Sequence, residues 1–266
     1  TFLDMETTGL YPHFGDRVCE VALLRCRGRH ELARFQSLVN PRRPVSPGAY
    51  AVNRIDDEMV RDAPLFEEVV DQVLALLEGA VIVAHNAPFD LGFLTNELQI
   101  ARWPPIENLV VDTLALARRY YSFPSNSLDN VAYYLGLMRH NAHRAMGDVE
   151  TTKQVFESFL HDFRRQGVET LADLLRLQGG SVPFPIPAEV PLPPDIDEAL
   201  HSGRRLRLRY VSAQGHETRR IVEPLQVTAY GDYQYLVAYC FLRQEQRTFR
   251  LDRIVEMHLE GPGLEG

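Results

Sequence analysis

Asp4 and Glu6 stand two residues apart in the opening stretch TFLDMETTG, on what reads as an apolar strand. Side chains alternate along a strand, so both carboxylates share one face. Two acids held side by side at the end of a core strand repel and lose hydration, an arrangement usually tolerated where a cation sits between them. An ordinary polar strand edge ending in a turn at Gly9 fits the same nine residues, and the downstream chain decides between the two. Asp90 falls about one turn into a helix, where an acid either favours the helix dipole or joins a site at a strand's carboxyl end. His143 precedes Asp148 by five residues; a helix over 145–160 puts Asp148 on its first turn and His143 in the loop before it. The positive end of that helix disfavours a charged imidazole and leaves a proton acceptor.

Taken together, four carboxylates from three segments and one histidine predict a site for two hard divalent cations, Mg²⁺ or Mn²⁺. Two such ions about 3.5–4 Å apart clamp the attacking and leaving oxygens of a phosphodiester displacement, while a histidine within reach takes the proton of the attacking water.

The elements that must position these groups are legible. Val18 to Cys26 and Leu32 to Val39 are β-rich runs separated by Gly28. Pro41, Pro44, Pro47 and Gly48 mark a loop. The apolar positions 65, 66, 69, 70, 73, 74 and 77 recur at helical spacing, and Gly79 ends that helix. Val81 to Ala84 reads as a buried strand. Asn86 is placed as an N-cap with Pro88 in the first turn, so this strand runs straight into the helix bearing Asp90. Leu109 to Val111 is a further strand, Asp112 an N-cap for the helix that follows, and Ser127 opens another helix ending at Gly136. Helix, buried strand and helix in succession indicate an α/β layer fold.

Length of 266 residues favours two domains. Thr1 is not an initiator Met and sits at the start of a strand, so residues before it are expected. No apolar run approaches eighteen residues, which predicts no membrane span. Cys19, Cys26 and Cys240, odd in number and without metal-ligand spacing, predict buried thiols in a reducing, cytoplasmic setting. The net charge of −8 is unevenly spread: residues 203–253 hold ten arginines against five acids, a net of +5, leaving −13 elsewhere. An acidic body joined to an arginine-rich module suits an enzyme that needs divalent cations and contacts phosphates. No glycine-rich phosphate loop of the Walker kind occurs, which argues against ATP-driven work.

DMETTG, HNAPFDLGFL and HRAMGD resemble, in order and spacing over about residues 1–160, the three motifs of the DEDDh branch of the DnaQ-like 3′→5′ exonucleases. The resemblance implies an RNase H-like fold with a mixed five-stranded sheet flanked by helices. It also implies that Asp4, Glu6, Asp90 and Asp148 hold two metals and that His143 is the general base. Thr7, Thr8, Gly9, His85, Asn86 and Phe89 match positions that surround the terminal nucleotide, where a phenylalanine can wedge or stack against a base. The implied reaction releases nucleoside 5′-monophosphates from 3′ ends, with single-stranded DNA as the first candidate and RNA as the second.

After a helix near Leu171 to Leu177, six prolines between 183 and 194 form an extended spacer. The expected organisation is a nuclease domain over 1–165, a helix and proline-rich linker over 166–195, and a small all-β domain over 196–266. In that last part a short helix spans about 196–202, Leu206, Leu208 and Tyr210 face a core while Arg205, Arg207 and Arg209 face outward, and residues 230–233 make a hairpin turn. YQYLVAY followed by FRLDRI resembles the WYL domain, a Sm-like or SH3-like β-barrel, although Gln234 replaces the tryptophan of the name. Tyr235, Arg250 and Arg253 match positions that the family associates with nucleotide or nucleic-acid ligands. Arginine forks grip phosphates and tyrosine faces stack on bases, yet core tyrosines and a solvated arginine face fit the same pattern. Two readings follow: a metal-dependent exonuclease, or a ligand-sensing or nucleic-acid-binding adaptor in which the barrel works and the α/β domain is a platform. An adaptor has no need of all five acid and base positions, and all five are present.

Overall fold

The computed structural model describes residues 1–138, 143–185, 192–230 and 233–260. They form two compact units.

The first unit is built on a five-stranded mixed sheet. Its strands are β1 (Phe2–Thr7), β2 (Val18–Arg27) and β3 (His30–Leu38), then, beyond helices α1 (Pro47–Asn53), α2 (Asp57–Arg61) and α3 (Phe66–Leu77), β4 (Ile82–Ala84). Helix α4 (Ala87–Ile100) follows, then β5 (Val110–Asp112), α5 (Thr113–Tyr120), α6 (Leu128–Tyr134), α7 (Ala145–Arg164) and α8 (Leu171–Gln178). Strand order is β3-β2-β1-β4-β5. β1 pairs antiparallel with β2 and parallel with β4, and β5 extends the sheet parallel to β4. The short apolar strands β4 and β5 are covered on both faces, as parallel strands must be.

Alternation along β1 sorts its side chains. Leu3 and Met5 enter a core layer with Phe66, Val70 and Val73 of α3 and Leu91 and Leu94 of α4. Phe2 enters the opposite layer, with Val149, Val155 and Phe159 of α7. Each such side chain contributes about 1.5–3 kcal/mol on burial, which fixes the register and therefore the face on which Asp4 and Glu6 emerge.

Residues 41–46 form the expected loop, but Pro47 and Gly48 belong to a helix. Ser46 caps α1 by accepting from the Ala49 N–H at 3.1 Å, Pro47 stands at the start of the helix, and Asp56 caps α2 in the same way. Pro47 and Gly48 thus open a helix, because proline is tolerated in a first turn where its missing N–H has no partner to lose.

The second unit holds α9 (Pro194–Ser202) and strands β6 (Leu206–Val211), β7 (Glu217–Tyr230), β8 (Tyr233–Cys240), β9 (Glu245–Arg250) and β10 (Ile254–Leu259). All pairs are antiparallel, in the order β10-β6-β7-β8-β9. Leu206, Leu208, Val222, Leu236 and Phe249 pack on Ile196 and Ala199 of α9. The expected small all-β unit is present as a five-stranded antiparallel sheet, but no β9–β10 pairing closes it into the expected barrel among the described residues. Tyr230 pairs with Tyr233; the expected turn residues Gly231 and Asp232, and the proline-rich positions 186–191, lie outside the described residues. The second unit also contains Gly9–Arg17 and Arg42–Pro44. Among the described residues no helix is long and apolar enough to cross a membrane, and all three cysteines are free.

Candidate active site

Strand β1 carries Asp4 and Glu6 on the α7 face of the sheet, and the first turn of α7 delivers Asp148 to them. One carboxylate oxygen from each of the three lies within 4.8 Å of the others. Asp90 reaches the same strand from the first turn of α4: it is 3 % exposed and its Oδ1 accepts the Met5 N–H at 3.0 Å. The three motifs therefore meet, although nearly 150 residues separate Asp4 from Asp148 in the chain.

Burial and crowding work against charge here. Burial first, then Asp90, Asp148, Glu6 and Glu20, push the Asp4 carboxyl well above its usual range. Burial, Asp148 and Glu20 push Glu6 up to about 7. Burial also raises Asp90, against the Met5 N–H that favours its ionised form. Carboxylates that resist ionising together in one cleft are a donor set of hard oxygens lacking positive charge, which fits a divalent cation.

Two residues with left-handed backbone precede the site helices. Asn86 (φ 73°) occupies the N-cap position of α4 and His143 (φ 61°) stands two residues before α7. A non-glycine residue there costs roughly 1–2 kcal/mol. Asn86 caps no helix with its side chain; its N–H donates to Asp112 Oδ1 at 2.9 Å, and Asp112 also accepts the Leu114 N–H as the expected N-cap. The His143 N–H donates to Asp148 Oδ1 at 3.2 Å, and its exposed ring has Nε2 3.6 Å from Asp129 Oδ2 on α6.

The remaining motif residues are largely engaged by the chain. Thr7 and Thr8 are buried; the Thr7 carbonyl accepts from Asn53 Nδ2 at 3.2 Å and the Thr8 carbonyl from the Ser46 N–H at 3.0 Å. A side chain on Gly9 would put its Cβ 2.3 Å from Asp16 Oδ2, so any larger residue there would have to displace the Asp16 carboxylate. His85 Nε2 donates to the Asn126 carbonyl at 2.9 Å and Nδ1 meets Thr113 Oγ1 at 2.9 Å, which bolts the β4–α4 junction to α5. Phe89 is half-buried against the core, its ring 5.0 Å from that of Phe93.

Sequence reasoning missed Glu20. It pairs in register with Glu6 on β2 and is 1 % exposed. Its carboxylate accepts from Arg144 Nη2 at 2.7 Å, Arg144 Nε at 3.0 Å, the Ala145 N–H at 3.0 Å and Gln36 Nε2 at 2.9 Å. The signal was available: a lone acid inside the apolar run VCEVALL has to find a partner when buried.

In the second unit, Arg250 is committed to Asp252 at 2.9 Å, and its guanidinium lies 3.6 Å over the Tyr233 ring. Arg204, Arg207, Arg209 and Arg247 are likewise ion-paired with acids. Arg253 is half-buried on a short 3₁₀ turn. The Tyr235 ring packs at 5.4 Å, edge to face, against Phe14.

Comparison with known proteins places this geometry. The profile described as Exonuclease matches residues 1–156 and that described as WYL domain matches 192–259. The chain is 34 % identical over 172 residues to the DNA polymerase III PolC-type of Caldanaerobacter subterraneus subsp. tengcongensis, covering 64 % of this chain and 12 % of that protein. It is 34 % identical over 169 residues to the DNA polymerase III subunit epsilon of Treponema pallidum, covering 62 % and 78 %. It thus spans only about an eighth of the polymerase but most of the epsilon subunit. Among solved structures, Exonuclease X in complex with 5′ overhanging duplex DNA aligns with a TM-score of 0.51 and 25 % identity, over 67 % of this chain and 98 % of that one. More than half of the sequence, including every residue of the acid cluster, falls within one matched profile, and on that ground the chain belongs to the Exonuclease family and carries a C-terminal WYL domain.

Proposed function

We propose that this protein is a 3′→5′ exonuclease that hydrolyses single-stranded DNA from its 3′ end and releases nucleoside 5′-monophosphates, with RNA as a second polymer to test. The observation that carries the reading is the convergence of Asp4, Glu6 and Asp148 within 4.8 Å, with Asp90 bonded to the same strand. Asp4, Glu6, Asp90 and Asp148 would hold two Mg²⁺ or Mn²⁺ ions. When bound, such ions supply Lewis acidity and neutralise the charge that builds on the phosphate. His143, exposed and next to the cluster, takes the proton of the attacking water. Its Asp129 neighbour orients the ring and stabilises the imidazolium once the proton has moved. Thr7, Thr8, Gly9, His85, Asn86 and Phe89 shape the place of the terminal nucleotide, His85 by bracing the strand–helix junction. The WYL domain assists by holding nucleic acid or a nucleotide; a phosphate that takes Arg250 has to compete with Asp252.

The test is digestion of 5′-labelled single-stranded DNA and RNA with Mg²⁺, Mn²⁺ or EDTA, with Asp148→Ala as control. A metal-dependent ladder shortening from the 3′ end and absent in the variant is expected. No cleavage of either polymer sinks the reading and returns the chain to the adaptor class.

A further inference from the structure

Strand β1 loses its regular pairing immediately after Glu6. Glu6 lies opposite Glu20 but Thr7 lies opposite Val18, so Cys19 is an extra residue on β2 and the pair is bulged where the last acid of the strand emerges. A bulge bends its strand and re-aims the neighbouring side chains. Whatever holds this one also sets where the Glu6 carboxylate points.

Helix α1 holds it from both ends. At its start the Ser46 N–H donates to the Thr8 carbonyl at 3.0 Å, and at its end Asn53 Nδ2 donates to the Thr7 carbonyl at 3.2 Å. The Asn53 amide also hydrogen-bonds the Glu6 carboxylate and lies 3.9 Å from Sγ of Cys19, the extra residue of the bulge. Its Oδ1 accepts the Ile55 N–H at 3.0 Å, and Ile55 packs with Cys19 and Val60 in a small core of its own. Between the two, Arg54 takes a left-handed backbone (φ 59°) that ends the helix. Asn53 is 2 % exposed and Thr8 is wholly buried.

An asparagine that only finished a helix would need no more than the Ile55 bond. Here that bond fixes the plane of the amide, and the NH₂ is thereby aimed at two consecutive residues of the acid-bearing strand, where a buried donor is costly to lose. Asp90 and Asp148 are each met by a backbone N–H, that of Met5 and that of His143. Glu6 is met by a side chain, so its placement depends on the identity of residue 53.

We propose that Asn53 is the positioning residue for Glu6: one buried amide, carried by α1, ties the Thr7 carbonyl to the Glu6 carboxylate and so sets the oxygen that Glu6 offers beside Asp4 and Asp148. The inference rests on the reading of the acid cluster as a cation site.

The test uses the full chain, metal-free and without substrate, with Mn²⁺ alone as the probe and its free concentration read by electron paramagnetic resonance. Asn53→Ala, and Asn53→Leu, which keeps the volume and drops every hydrogen bond, should each weaken Mn²⁺ binding about tenfold or more. Ser46→Ala removes only the side-chain cap of α1; it should lower the melting temperature by a few degrees and move Mn²⁺ affinity less than about twofold. The parent chain gives a second readout that does not depend on how a variant folds. On titration with Mg²⁺ the NMR signals of the Asn53 side-chain amide should shift, while those of Asn40 and Asn108, bonded to the Arg61 and Leu77 carbonyls, stay in place. Parental Mn²⁺ affinity in Asn53→Leu, an equal loss of affinity in Ser46→Ala, or an Asn53 amide that Mg²⁺ does not move each overturns the inference. A parent chain that binds no Mn²⁺ sinks the cation-site reading itself before any variant is compared.

Discussion

Glu20 faces Glu6 across the β1–β2 pair, and the two carboxyls are driven in opposite directions. Burial works against charge on Glu20, but Arg144, the Ala145 N–H and Gln36 outweigh it and hold the group below its usual range. On Glu6 burial and the Asp148 and Glu20 charges outweigh a hydrogen bond from Asn53 and the Arg144 charge, and the group rises to about 7. One acid is satisfied by protein and pins the start of α7; the other stands in the cluster proposed to hold cations. This division separates the acids that build the site from those proposed to work in it.

Breaking the pin has a structural cost. Glu20→Ala leaves Arg144 and the Ala145 N–H without their acceptor and is expected to lower stability by about 2–4 kcal/mol, roughly 5–10 °C in Tm. Because α7 carries Asp148, activity should fall with it. Thermal melting beside the nuclease assay checks this, and a Tm within 1 °C of the parent (on the order of 0.5 kcal/mol or less) contradicts it.

The acids proposed to hold the metals are expected to behave in the opposite sense. Asp4→Asn removes a buried charge that its neighbours oppose, so the metal-free variant should melt at or above the parent while turnover drops about a hundredfold or more. A destabilised and fully active variant would contradict both halves.

His143→Ala should lower kcat about a hundred- to ten-thousandfold with oligonucleotide binding retained. His143→Gly suits the left-handed backbone better, and added imidazole should restore part of its activity. Full activity in His143→Ala removes the histidine from the mechanism.

The raised carboxyls make stability depend on pH in a definite direction. A folded-state pKa above the unfolded value stabilises at low pH, and that contribution is lost as pH rises through the folded value. For Glu6 the window runs from about 4.5 to about 7, worth up to about 3 kcal/mol, and Asp4 and Asp90 act in the same sense. The metal-free chain should therefore melt lower at pH 8 than at pH 5.5, and Mg²⁺ or Mn²⁺ should raise Tm more at pH 8. A cation effect independent of pH would contradict this account of the cluster.

How much of this was legible in the sequence differs residue by residue. Period-two alternation placed Asp4 and Glu6 on one face, and helix-start signals placed Asp90 and Asp148 in first turns, because both rest on local backbone geometry that the sequence itself determines. Pro47 and Gly48, which read as loop, concealed the start of α1, since proline is as well tolerated in the first turn of a helix as in a loop. The tertiary structure alone decided that Glu20 accepts Arg144, that Asn86 uses its backbone rather than its side chain, and that Phe14 lies among tyrosines more than 200 residues away. Such pairings depend on which surfaces meet when sheets and helices pack, and no local pattern of side chains encodes that.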